Sequence, residues 1–180
     1  MREKALKTEL VKGMKSVGAL KYGRFVLSSG KVSDYYVDVK LASSFPEILS
    51  LISTLMKRVA IKLDFNRIAG VAVGGIPIAT SLSLETGIPL LVVRKKRKEY
   101  GTKNLVEGLF GEGDVAIIVE DVTTTGNSIL DAASVLRNEG VDVNDAIVVV
   151  DREEGAKEKL KNVGINLHSI LSADELKVID

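Results

Sequence analysis

Five short, nearly unbroken apolar runs, at 68–73, 90–93, 116–119, 146–150 and 165–170, are separated mostly by helix-compatible segments. Runs of this kind read as strands buried on both faces, and their alternation with helices specifies a mostly parallel sheet covered by helices, an α/β architecture. Ahead of them, Leu6, Leu10, Val11, Met14 and Val17 stand at helical spacing within 4–20 and predict an amphipathic helix ending near Gly18. Residues 24–27 and 35–39 read as two short strands around a turn at Ser28-Ser29-Gly30. Pro46 opens a further helix through about Ala60, with Ile48, Leu51, Ile52, Leu55 and Val59 on its apolar face. With no repeat, low-complexity tract or linker, the 180 residues read as one domain in which 1–45 form a small helix-and-hairpin hood.

Charge and composition remove several classes of function. Net charge is +1, so no global field draws the chain to nucleic acid or an anionic membrane, and anion recognition has to come from local clusters. No stretch approaches the ~20 apolar residues of a membrane span. There is no cysteine and one histidine, His168, which excludes disulfides, zinc–thiolate sites and cysteine nucleophiles and fits a cytoplasmic protein. His168 falls in a late strand, where a structural role is expected.

In a sheet of this class, ligands bind outside the carboxyl ends of the strands. That rule selects four loops, 73–77, 94–107, 120–128 and 151–155. In the third, an apolar strand at 115–119 ends in Glu120 and Asp121, followed by Thr123, Thr124, Thr125, Gly126, Asn127 and Ser128 and then a helix carrying Ile129, Leu130, Ala133, Val135 and Leu136. A helix N-terminus offers unpaired N–H groups to a dianionic phosphate, and hydroxyls beside a glycine add donors at close range. Two carboxylates just upstream suit the vicinal diol of a ribose. A Ser/Thr cap alone would explain the hydroxyls; strand, acid pair, Thr-Thr-Thr-Gly and helix together are far more specific. No Gly-x-x-x-x-Gly-Lys-Ser/Thr and no helix-opening Gly-x-Gly-x-x-Gly occurs, which weakens triphosphatase and dinucleotide readings.

Residues 117–129 resemble the phosphoribosyl-pyrophosphate motif of type I phosphoribosyltransferases. The resemblance implies that fold, with Glu120 and Asp121 on the ribose hydroxyls and 123–128 around the 5-phosphate. Three more segments resemble orotate phosphoribosyltransferases. Residues 25–36 match Phe-x-Leu-x-Ser-Gly-x-x-Ser-x-Tyr-Tyr, implying that Tyr35 and Tyr36 flank the pyrimidine, with Thr124 also on the orotate side. Residues 94–108 place six cations within ten residues and end in Asn-Leu-Val-x-Gly. This resembles the family's lid, which reaches the neighbouring subunit's active site; Arg94, Lys95 and Lys98 fall on its functional cations, and Tyr100 stands where many members have histidine. Residues 150–155, Val-Asp-Arg-Glu-Glu-Gly, resemble the family segment whose arginine meets the orotate carboxylate, which implies that role for Arg152. Gly74 and Gly75, in the turn at 73–77, fall on the pyrophosphate loop. Some relatives carry lysine where Gly74 or Ser28 stands; this chain carries neither.

The implied reaction joins orotate to ribose C1 of phosphoribosyl pyrophosphate, giving orotidine 5′-monophosphate and pyrophosphate. Lys98 and Asp121 are the expected catalytic residues, Mg2+ is held mainly through substrate with no dedicated protein site, and the enzyme is a homodimer. Two alternatives stand beside it. A purine or uracil phosphoribosyltransferase would share 117–129 without needing Tyr35, Tyr36 or Arg152. A regulator sensing phosphoribosyl pyrophosphate would need a basic face or an added DNA-binding domain, and only about 20 residues precede the hairpin.

Overall fold

The computed structural model describes residues 2–26, 32–94 and 105–178. The chain runs α1 (Arg2–Ser16), β1 (Leu20–Val26), β2 (Val32–Val37), α2 (Val39–Ser43), α3 (Pro46–Ala60), β3 (Arg67–Val71), α4 (Gly75–Thr86) and β4 (Leu90–Val93). It continues through β5 (Val106–Glu107), β6 (Val115–Thr123), α5 (Asn127–Asn138), β7 (Asp142–Asp151), α6 (Ala156–Lys161), β8 (Asn166–Ser172) and α7 (Ala173–Val178).

Six strands form one sheet in the order β5-β4-β3-β6-β7-β8, parallel except for the antiparallel edge strand β5. The central strands are apolar on both faces because both are covered. Ile117, Val119, Ile147 and Val149 pack with α1, α3 and α4, whereas Ala116, Ile118, Ala146 and Val148 pack with α5 and α6. Helix periodicity follows the same burial. In α3, with Pro46 in the first turn, Ile48, Ile52, Leu55 and Met56 are buried; in α5 it is Ile129, Ala132, Ala133 and Leu136.

The hood is a separate antiparallel pair, β1–β2, tied to the sheet domain by α1 and α7. Lys7 pairs with Glu175 at 2.8 Å, and the Tyr22 hydroxyl donates to the Leu176 carbonyl.

Several boundaries differ from the sequence expectation, each for a physical reason. The second hairpin strand ends at Val37, because Asp38 caps α2: its Oδ1 accepts the Leu41 N–H at 3.0 Å. Strand β6 does not stop at 119 but continues through Thr123, since its backbone remains paired with β7 as far as Thr123↔Asp151. Ladder hydrogen bonds thus carry polar residues into the strand where hydrophobic pattern predicts its end. Strand β7 likewise extends to Asp151, whereas β3 stops at Val71, where its pairing with β4 ends, and α1 ends at Ser16, with Gly18 following at φ 72°. Elements α2, β5 and α7 lack an apolar periodicity long enough to announce them.

Candidate active site

Strand order reverses between β3 and β6, so the turn leaving β3 and the loop leaving β6 open away from each other and leave a crevice. Gly74 and Gly75 line it from one side. Gly74 has an ordinary α conformation (φ −66°), so its need for glycine is spatial: a Cβ there would lie 2.1 Å from Asp121 Oδ2. A Cβ on Gly75 would lie 2.3 Å from the Val119 carbonyl oxygen. The lysine that some relatives carry at position 74 therefore has no room here while Asp121 keeps its place.

Alternation along β6 splits the acid pair. Asp121 continues the row of Ile117 and Val119 toward the Gly74 turn, and Glu120 continues the row of Ala116 and Ile118 on the α5 side. The Asp121 side chain is 15% exposed, its Oδ1 accepts the Val122 N–H at 2.8 Å, and its Oδ2 lies 3.6 Å from Lys40 Nζ. Glu120 is buried, and its Oε1 accepts the Asp121 N–H at 3.4 Å.

Beyond β6 lies the loop expected from the sequence to hold the 5-phosphate. Thr123 is only 2% exposed and sits beneath the loop, while Thr124 and Ser128 are half-buried and Thr125 is exposed. Gly126 takes a left-handed conformation (φ 79°) to turn the chain into α5, and no side chain among the described residues caps that helix. The first-turn N–H groups of α5 consequently remain open to a ligand. The turn rests on α6, where a Cβ on Gly126 would come within 3.3 Å of Leu160 Cγ. Asn127, assigned to the phosphate loop by sequence, accepts a hydrogen bond from Lys159 through its Oδ1.

The next loop is joined to this one, because the Arg152 N–H donates to the Thr123 carbonyl at 3.0 Å. The Arg152 guanidinium lies 4.7 Å from the Tyr35 ring centroid, donates to Ser33 Oγ at 3.1 Å and sits 3.5 Å from Glu154 Oε1. These four side chains line a cleft of about 680 Å³ beneath the hairpin. Burial raises the Tyr35 phenol above its usual 10.0 against the opposing pull of Arg152, with Asp34, Glu154 and Glu153 adding to the rise. The phenol is therefore neutral and hydrogen-bond-competent at physiological pH.

The sequence model of the phosphoribosyl transferase domain matches residues 46–174. An orotate phosphoribosyltransferase of Pyrococcus horikoshii is 47% identical over 173 residues, covering 95% of this chain and 93% of that protein. The chain belongs to the orotate phosphoribosyltransferase family. The crystal structure of the Aeropyrum pernix member superimposes with a TM-score of 0.84 at 38% identity, over 93% of this chain and 95% of that one. A Mycobacterium tuberculosis member, solved in complex with 5-phospho-alpha-D-ribosyl 1-diphosphate, gives 0.79 at 31% identity, over 96% and 99%.

Orotate phosphoribosyltransferase motifs thus meet at one edge of the sheet, though not every expected pairing is present. Tyr35 and Tyr36 are adjacent strand residues and leave β2 on opposite faces: Tyr35 is 4% exposed against Arg152, and Tyr36 is 40% exposed with its ring 5.7 Å from Phe25. The two rings do not form one slot. The Arg94 N–H donates to the Leu105 carbonyl at 2.8 Å and its guanidinium faces Glu107 at 4.0 Å. Lys95, Lys98 and Tyr100 lie outside the described residues, as does Ser28. His168 pairs with Asp145 at 2.8 Å, early in β7 and away from the carboxyl-end loops. Two side chains not singled out from the sequence touch the expected site residues, Ser33 at Arg152 and Lys40 at Asp121. Ser33 was visible within the 25–36 segment, whereas Lys40 carries no local signal.

Proposed function

We propose that the chain transfers the 5-phosphoribosyl group from phosphoribosyl pyrophosphate to orotate, forming orotidine 5′-monophosphate and pyrophosphate. The observation that carries this reading is the Arg152–Thr123 backbone hydrogen bond. It holds the Arg152 backbone beside the loop proposed for the phosphoribosyl group, which puts a carboxylate-matching guanidinium within reach of an acidic pyrimidine at ribose C1.

The 5-phosphate sits at the amino end of α5, between Thr124, Thr125, Gly126 and Ser128. Asp121 and Glu120 hold the ribose hydroxyls, and the Gly74–Gly75 turn receives the pyrophosphate. Tyr35 stacks beneath Arg152 and orients it toward the orotate carboxylate, with Ser33 fixing the guanidinium from the hairpin side. Displacement at the anomeric carbon develops positive charge on the ribose and negative charge on the departing pyrophosphate, so catalysis reduces to positioning and electrostatic stabilisation. Lys98, with Arg94 and Lys95, stabilises the leaving group from the lid. Orotate N1 ionises readily, so no strong protein base is required.

Among the described residues no group of three or more His, Asp or Glu side chains could cage a metal ion. A Mg2+ carried on the substrate needs less than a cage, and the Asp121 carboxylate facing the Gly74 turn suits that arrangement. A bound Mg2+ would supply positive charge to offset the pyrophosphate, and Asp121 is the residue that would face it. The enzyme acts as a homodimer in which each lid serves the neighbouring site, and it works in the cytoplasm; among the described residues no helix is long and apolar enough to cross a membrane.

The test is to mix the protein, Mg2+ and phosphoribosyl pyrophosphate with orotate, uracil, adenine or hypoxanthine and to look for the nucleotide. Product from orotate alone is expected. Product from uracil or a purine but not from orotate overturns the substrate assignment.

A further inference from the structure

We propose that Lys40 is a substrate-contacting cation of this site, holding Asp121 in the empty protein and meeting the pyrophosphate group when phosphoribosyl pyrophosphate is bound. The proposal rests on the phosphoribosyl-transfer reading and adds to it a residue on the short helix between hood and sheet.

Three elements converge on one oxygen atom. Asp121 Oδ2 lies 3.6 Å from Lys40 Nζ on α2, and the same oxygen is the atom a Cβ at Gly74 would strike, at 2.1 Å. Lys40 therefore stands where the ribose carboxylate of β6 meets the pyrophosphate turn of β3–α4. The turn at 73–77 contributes no cation of its own, and position 28 is serine. A charge delivered from α2 fills a need those segments leave open.

The backbone beneath Lys40 is rigid. The Asp38 N–H donates to the Ala19 carbonyl at 2.8 Å, the Asp38 side chain caps α2, and Val39 and Ala42 are fully buried on either side of Lys40. These two anchors turn position 40 toward the crevice and solvent. The side chain itself is 63% exposed, against 15% for Asp121. An exposed pair of this length adds little to folding stability. A solvated ammonium on a flexible stem can exchange a single carboxylate oxygen for a polyanion with small desolvation cost. With Asp121 accepting hydrogen bonds from the ribose hydroxyls, the released ammonium lies next to the turn that receives the pyrophosphate.

The experiment compares the full-length protein with Lys40→Ala and Lys40→Arg. Steady-state kinetics are measured in both substrates, together with direct binding of inorganic pyrophosphate and of ribose 5-phosphate, the latter lacking the leaving group. Loss of a charge-assisted contact predicts that Lys40→Ala raises KM for phosphoribosyl pyrophosphate and the Kd for pyrophosphate by about tenfold. KM for orotate and the Kd for ribose 5-phosphate stay near wild type, and Lys40→Arg recovers most of the loss. Wild-type pyrophosphate binding in Lys40→Ala overturns the proposal. So does an equal loss for ribose 5-phosphate, which would make Lys40 only a support for Asp121. A wild-type protein that binds neither phosphoribosyl pyrophosphate nor pyrophosphate removes the transfer reading itself, and the proposal with it. Thermal melting of both variants separates these results from misfolding.

Discussion

At the scale of single residues, the site is governed by how little space separates its parts. Gly74 adopts a backbone conformation open to any residue, yet a methyl group there collides with the Asp121 carboxylate. Gly74→Ala is expected to displace Asp121 and raise KM for phosphoribosyl pyrophosphate by about tenfold or more, with a stability loss of about 1–3 kcal/mol from overpacking. Kinetics and a denaturant titration check the two parts; unchanged kinetics would mean that Asp121 does not hold substrate. Tyr35 offers a pH test. Its folded-state pKa is raised above 10.0, so its contribution to stability is present below that pH and is lost as pH climbs through the higher folded value. The wild-type unfolding free energy should therefore fall more steeply above pH 10.0 than that of Tyr35→Phe. Parallel pH profiles for the two would place the phenol in water in the folded state.

At the scale of elements, the determining feature is the strand that ends in a helix. Strand β6 carries Glu120 and Asp121 inside its hydrogen-bonded ladder, and Gly126 then reverses the chain into α5. Because φ is 79° at Gly126 and Leu160 lies beneath it, Gly126→Ala combines left-handed strain with a tight contact. That substitution is expected to cost about 1–2 kcal/mol of stability and to weaken ribose 5-phosphate binding. Calorimetry on both properties tests this, and full phosphate affinity would show that the amino end of α5 is not the phosphate site. The helices and strands of the sheet domain were legible from apolar spacing. The short elements were not: α2 is set by the Asp38 cap, and β5 by antiparallel pairing with β4.

At the scale of the whole molecule, the clearest expectation concerns two copies. A lid serving the neighbouring site places Lys98 and Asp121 of one chain in different active sites. Lys98→Ala is expected to fold normally and turn over very slowly, and Asp121→Asn to bind phosphoribosyl pyrophosphate weakly. Mixing the two defective proteins under conditions that exchange subunits should then restore activity, since one site of each mixed dimer has an intact lid and an intact carboxylate. Activity that stays at the sum of the separate proteins means that the lid acts within its own subunit.

Local order in the chain was enough to determine an α/β sheet domain and the chemical class of its substrate, and to select the loops proposed to hold it. Strand and helix periods, and the strand–acid–hydroxyl–glycine–helix succession, are properties of neighbouring residues. Tertiary structure alone decided which residues meet. Lys40 reaches Asp121, and Ser33 reaches Arg152, across large sequence separations set by chain closure. Strand alternation put Tyr35 beneath the guanidinium and turned Tyr36 away, and the order of β3 and β6 brought the Gly74 turn against the Asp121 carboxylate. A residue's type and spacing state what it can do; the packing of distant segments states what it does it to.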